Sequence, residues 1–248
     1  MSYQRIVSLV PSLTELLFDL GFGDKIIGRT RFCIHPEEKI GEIPIIGGTK
    51  NPRIEKILGL KPDFILANKE ENNKEDVEEL ARHTEVHVTD INTVAEAVEA
   101  IGELGAMLKA SKEAEKLTTR ISELVAEIPR VPPVRAAYFI WKDPWMTIGN
   151  DTYIHDVMQL YALKNVYADQ TRYPKTSLEE LSRINPELIL LSSEPYPFKE
   201  KHIAEIREHL PSARIELVDG EWFSWYGSRM LIAFKKLNTW RRGLDDRR

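Results

Sequence analysis

Three stretches of this 248-residue chain gather the side chains best able to hold a ligand. Trp141 and Trp145 flank Lys142-Asp143-Pro144 after the apolar run Ala136-Ala137-Tyr138-Phe139-Ile140. Trp222, Phe223, Trp225 and Tyr226 crowd the turn after a predicted strand ending at Val218. The third stretch, Arg29-Thr30-Arg31-Phe32-Cys33-Ile34-His35-Pro36, adds two cations, an aromatic ring and two soft donors. Flat rings give apolar contact at little conformational cost, and guanidinium groups neutralise carboxylates or phosphates. The guanidinium groups available for that are those of Arg29, Arg31 and Arg229. The alternative for the same rings is burial at a junction between lobes, the ordinary fate of large aromatics.

Nothing in the chain assembles into a catalytic or metal centre. Cys33 is the single cysteine, which excludes an internal disulfide and any multi-thiolate site, and Cys33 with His35 is an incomplete metal set. His83 and His87 have helical ligand spacing, but Val86 and Val88 alternate about His87 as in a strand. His202 and His209 fall on a charged helix and read as solvated. The near P-loop Gly23-Asp24-Lys25-Ile26-Ile27-Gly28-Arg29-Thr30 follows a helix rather than a strand, so it reads as a helix stop. Acidic residues lie in charged helical stretches, and nothing pairs them as acid and base. The expectation is a non-enzymatic protein with no cofactor of its own. A net charge of −5 without a basic stripe argues against a nucleic-acid partner. No apolar run approaches bilayer length. Met1 to Arg5 leads straight into the predicted strand Ile6-Val7-Ser8-Leu9-Val10, so a cytoplasmic location is expected if the chain is native as given, and a periplasmic or cell-envelope one if a leader was removed.

These loops need elements to position them, and an internal echo supplies the plan. Ile54-Glu55-Lys56-Ile57-Leu58-Gly59-Leu60-Lys61-Pro62-Asp63-Phe64-Ile65-Leu66 matches Leu178-Glu179-Glu180-Leu181-Ser182-Arg183-Ile184-Asn185-Pro186-Glu187-Leu188-Ile189-Leu190, 124 residues later. Each copy reads as a short amphipathic helix, a proline that stops it, and a buried strand. Val86-His87-Val88-Thr89-Asp90 is echoed by Ile215-Glu216-Leu217-Val218-Asp219, and Glu15–Gly21 more loosely by Asp156–Ala162. The predicted fold is α/β: two similar sandwich lobes with mostly parallel sheets, over 1–92 and 131–248. A helical connector over 93–130 joins them. It opens with the capping box Thr93-Val94-Ala95-Glu96, is expected to break near Gly102, Gly105 and Ser111, and continues as a helix of about 25 Å from Lys112 to Ile128.

The ordered marks resemble a known family. Arg5-Ile6-Val7-Ser8-Leu9-Val10-Pro11-Ser12-Leu13-Thr14-Glu15-Leu16, Leu60-Lys61-Pro62-Asp63-Phe64-Ile65-Leu66, Asn185-Pro186-Glu187-Leu188-Ile189-Leu190 and Ser228-Arg229 look like the helical-backbone (class III) periplasmic substrate-binding proteins of ABC importers. These serve the uptake of cobalamin, haem and ferric siderophores, and the cobalamin-binding branch is the most similar. The resemblance implies a monomer with a cleft between lobes, a connecting helix that limits hinge motion, and a metal that arrives inside the ligand. It implies ligand contacts from Trp222-Phe223 and from the loop of Arg31 and Phe32; with the loops read above, the expected ligand-binding residues are Arg31, Phe32, His35, Trp141, Trp145, Trp222, Trp225, Tyr226 and Arg229. It further implies docking to arginines of an ABC permease through an acid on each lobe, with Glu70 or Glu71 and Glu194 or Glu200 as candidates. The alternative expectation is a cytoplasmic ligand-binding, storage or sensor protein that kept the receptor fold.

Overall fold

The structure is a computed structural model that describes residues 3–245. The chain forms two compact units. One comprises Met1–Ile91, Ala95–Glu123 and Tyr226–Leu231; the other comprises Asn92–Val94, Leu124–Trp225 and Ile232–Arg248.

In the first unit the elements run β1 (Ile6–Ser8), α1 (Pro11–Asp19), β2 (Ile26–Arg29), α2 (Glu37–Ile40), α3 (Ile54–Gly59), β3 (Phe64–Asn68), α4 (Lys74–Ala81) and β4 (Val86–Thr89). The four strands are parallel in the order β2-β1-β3-β4. β1 and β3 are buried along their whole length, which is why their apolar residues are consecutive rather than alternating, up to the buried polar Ser8 and Asn68 at their ends. One layer of core packs Val7, Ile65 and Ala67 of the sheet against Ile57 and Leu80 of the helices. Pro11 opens α1, where its missing N–H costs nothing, and Gly21, at φ 86°, follows its end in the left-handed region.

Two long helices follow, α5 (Val94–Leu108) and α6 (Ser111–Ala126). The expected break at Gly102 and Gly105 does not occur. α5 runs through both glycines, and the chain turns at Lys109, at φ 60°, where Ala110 N–H donates to Gly105 C=O at 2.7 Å. Gly105 serves packing instead: a Cβ there would lie 2.3 Å from Ala114 Cβ, so its bare Cα lets α6 approach α5.

The second unit contains β5 (Val134–Phe139), β6 (Trp145–Met146), α7 (Tyr153–Leu160), β7 (Leu163–Asn165), β8 (Lys175–Thr176), α8 (Leu178–Ile184), β9 (Leu188–Ser192), α9 (Glu200–His209), β10 (Arg214–Val218), α10 (Glu221–Ser224) and α11 (Met230–Asp245). Its main sheet is parallel in the order β10-β9-β5-β7, while β6 and β8 form a small antiparallel ribbon. Numbered from its own first strand, this sheet follows the same path as that of the first unit.

The likeness extends to individual hydrogen bonds. Lys61 and Asn185, in equivalent places before the prolines, both adopt φ 50°. Arg5 donates through its side chain to Leu60 and Lys61 carbonyls at the end of α3, and Arg135 donates to Ile184 and Asn185 carbonyls at the end of α8. Each guanidinium satisfies carbonyls that a helix end leaves without partners. The backbone N–H of Arg5 donates to Asp63 at 2.9 Å and that of Arg135 to Glu187 at 3.0 Å, which closes the same clasp twice.

Candidate functional site

Parallel strands deliver their following loops to one edge of a sheet, and open α/β sheets bind ligands at that carboxyl edge. In the first unit the order places the switch point between β1 and β3. Asn68, at the end of β3, accepts from the N–H groups of Glu70 and Glu71 at 2.8 and 3.2 Å and donates to Thr89. Asn72 ties the same turn to Leu9 and Thr49 carbonyls. Glu70 and Glu71 are therefore half-buried on a fixed turn at this edge.

The loop after β2 is pinned from beneath by two buried groups. Arg29 donates to the carbonyls of Ile40 at 3.0 Å and Cys33 at 3.1 Å, so it is a support and not the anion-neutralising cation expected of it. Cys33 packs in the core with its Sγ 3.1 Å from Thr14 Oγ1 and 3.2 Å from Thr30 Oγ1. Burial pushes its thiol up from the usual range. Above these anchors Phe32 is 48 % exposed, and the Arg31 guanidinium carbon lies 5.0 Å from its ring centroid. His35, half-buried, ends the loop near Glu15.

Arg229 is not a free cation for a ligand. Its Nε and Nη2 donate to the two carboxylate oxygens of Glu15 at 2.8 and 2.6 Å, and both side chains are buried. Burial pushes the Glu15 carboxyl up, while Arg229 opposes that shift. Gly227, at φ 78°, lets the same segment approach Ser12 and Leu16 of α1. Tyr226 is buried as well.

In the second unit the expected aromatic loops separate into exposed and buried members. Trp141 is 40 % exposed and meets Tyr196 edge-on at 5.6 Å. Trp145, expected at the ligand, is core: it stacks on Phe198 at 5.8 Å and meets Phe139 edge-on at 5.3 Å. The antiparallel pairing of β6 with β8 points its ring inward. Trp222 is half-buried beside Phe223, which is fully enclosed against Tyr138 and Trp240. Trp225 is also buried, and its indole Nε1 donates to Glu194 at 2.7 Å.

That bond bears on Glu194, expected as a docking acid. Glu194 also accepts from Ser224 Oγ at 3.0 Å and turns inward, with its carboxyl pushed up by burial. It occupies the place equivalent to Glu70, since Ser192 Oγ accepts from its N–H as Asn68 does in the first unit. Both bonds engage one carboxylate oxygen, Oε1, of a half-buried side chain, whereas Glu200, at the start of α9, is exposed. His202, read from sequence as solvated, is buried: its Nδ1 accepts from Lys199 N–H at 2.9 Å, and its Nε2 lies 3.3 Å from the Tyr196 hydroxyl. Sequence reasoning missed Tyr196, and it missed Arg172-Tyr173 in the loop after β7. The signal for the latter was an arginine next to an aromatic, as in Arg31-Phe32.

Among the described residues no group of histidine, cysteine and acidic side chains is placed to hold a metal, and no helix is long and apolar enough to cross a membrane. Two parallel sheets of one topology each carry aromatic side chains on loops that follow their strands. The sequence matches the periplasmic binding protein family over residues 6–214, and the chain belongs to that family. It is similar to an uncharacterised ABC transporter substrate-binding lipoprotein of Bacillus subtilis, with 29% identity over 201 residues that cover 75% of this chain and 63% of the relative. A vitamin B12-binding protein of Pectobacterium atrosepticum is 24% identical, over 94% of this chain and 87% of the relative. Two solved structures share the fold. The periplasmic vitamin B12 binding protein of Vibrio cholerae superposes with a TM-score of 0.82 at 22% identity, covering 97% of each chain. The periplasmic heme-binding protein from Roseiflexus sp. RS-1 gives 0.84 at 20% identity, covering 98% of this chain and 99% of its own.

Proposed function

We propose that this chain is the ligand-capturing component of an ABC importer for a corrinoid, haem or ferric-siderophore ligand, acting in the cell envelope. The observation that carries the reading is the pair of aromatic platforms at the carboxyl edges, Phe32 in one unit and Trp141 with Trp222 in the other. Rings held on fixed loops lose little freedom when a flat ligand covers them. The names of the relatives, which bind vitamin B12 or haem, support the ligand class. Delivery to a permease is read through exposed Glu200 and the half-buried Glu70 and Glu71.

The test is tryptophan emission during titration with cobalamin and with haem, whose absorption quenches nearby indoles. Saturable quenching at micromolar or tighter concentration is the expected result. Replacing Trp222 by Ala weakens binding without unfolding the chain, and an unchanged affinity would count against this surface. Glu200→Ala spares ligand binding but weakens stimulation of the importer; undiminished stimulation removes Glu200 from the docking role.

A further inference from the structure

Behind the exposed Trp141 of the second unit stands a short relay of rings. Tyr196 meets Trp141 edge-on at 5.6 Å, and His202 meets Tyr196 edge-on at 5.5 Å. Phe198 flanks both, 4.8 Å from the Tyr196 centroid and 5.3 Å from that of His202. Hydrogen bonds fix the direction of the relay. His202 Nδ1 accepts from Lys199 N–H at 2.9 Å, so the proton of the neutral imidazole is on Nε2, which donates to the Tyr196 hydroxyl at 3.3 Å. The Tyr196 backbone is tied as well, its N–H donating to the C=O of Ile140, next to Trp141. Glu205, three residues after His202 on α9, accepts from Lys142, the neighbour of Trp141 on its other side. Residues three apart share a helix face, so one face of α9 holds the loop after β5 at two points.

Capping the start of α9 alone would be served by a serine, aspartate or asparagine. An imidazole caps with one nitrogen and reaches outward with the other. Resting on the proposed receptor reading, we infer that Tyr196 and His202 are positioning residues for ligand capture: His202 fixes the Tyr196 ring, and Tyr196 sets the angle at which Trp141 meets a flat ligand. Trp141 is 40 % exposed, so without this backing its side chain would exchange between rotamers, and the ligand would have to order it on binding. The relay is also sensitive to acid, because a protonated Nδ1 no longer receives Lys199 N–H. The charges facing His202 are Lys142 from the loop after β5 and Lys201 and Glu205 from α9, and burial with the two cations holds the imidazole below 6.5.

The experiment uses the full chain labelled with 5-fluorotryptophan, in which five tryptophans give five fluorine resonances, each assigned by its loss in the matching Trp→Phe variant. Three further variants divide the relay. Tyr196→Phe removes the hydroxyl, His202→Asn keeps an acceptor for Lys199 N–H and loses the Nε2 donor, and His202→Gln keeps a donor for Tyr196 and loses the cap. Haem and cobalamin affinities are read from the probes' own absorption bands, and circular dichroism checks that each variant folds. Tyr196→Phe and His202→Asn should shift and broaden the Trp141 resonance, leave those of Trp222 and Trp240 in place, and weaken the probe that binds by about three- to tenfold. His202→Gln should rescue both signals. In the unmodified chain the Trp141 resonance should also move as pH falls below 6.5, and His202→Asn should abolish that movement. An unmoved Trp141 resonance in the first two variants, or one that moves with no change in affinity, would overturn the inference and leave the receptor reading in place. Resonances that all move together, the mark of a merely structural role, would overturn it too. Failure of both probes to bind the unmodified chain would overturn the receptor reading and the positioning role with it.

Discussion

A single side chain's letter says what it can do, and its neighbours decide whether it does. Trp141 and Trp145 are four residues apart, yet one ring is exposed and the other is packed on Phe198. The sequence placed both in one loop, but it could not show that β6 pairs with β8 and turns Trp145 inward. Glu194 and Arg229 show a related effect: each has a buried partner distant in sequence that its letter could not announce, Trp225 for the first and Glu15 for the second. The Glu15–Arg229 pair has a measurable consequence. Removing one partner leaves an uncompensated buried charge, so Arg229→Ala should cost about 3–5 kcal/mol. Replacing both with apolar residues of similar size, as in Glu15→Leu with Arg229→Met, should cost much less. Urea denaturation midpoints check this, and equal losses for the single and double variants would refute it.

At the scale of elements the sequence was most legible where one pattern occurs twice. The echo of 124 residues located α3 with β3 and α8 with β9, because a helix stop before proline and a buried strand have strong local signatures. The clasps made by Arg5 and Arg135 were not legible, since an arginine beside a strand gives no hint of which helix end it reaches. Glycine inside a helix is equally ambiguous from sequence. Gly102 has open space around its Cα, while Gly105 lies against Ala114. Gly102→Ala should therefore stabilise the chain by about 0.5–1 kcal/mol through helix propensity. Gly105→Val should destabilise it by about 1–3 kcal/mol through overpacking. Thermal unfolding of the two variants separates them, and melting temperatures that move together would contradict the packing assigned to Gly105.

At the scale of the whole molecule the buried ionisable groups set how stability depends on pH. His87, His155 and His202 all have their imidazoles pushed down from the ordinary value of 6.5, mainly by burial; for His202 the cations of Lys142 and Lys201 add to the effect. The unfolded chain then binds protons that the folded chain refuses, so stability falls as pH drops through 6.5 towards the lowered values. Glu15 and Glu194 are pushed up from 4.5 by burial, which gives the opposite slope above 4.5: there the folded chain holds the extra protons, and stability falls as pH rises through the raised values. The histidine contribution is read by difference: from pH 7 to pH 5.5 the denaturant midpoint of the unmodified chain should fall relative to that of His202→Gln. An unchanged slope in the variant would refute the assignment of His202. The chain's route through its two units bears also on how it is made. The first unit includes Tyr226–Leu231, and Arg229 follows its partner Glu15 by 214 residues. At a synthesis rate of about 5–20 residues per second, roughly 10–40 s separate the emergence of the two side chains. The amino-terminal sheet is thus fully translated long before the residue that neutralises its buried acid exists, and that unit is completed only after every strand of the other unit has been made.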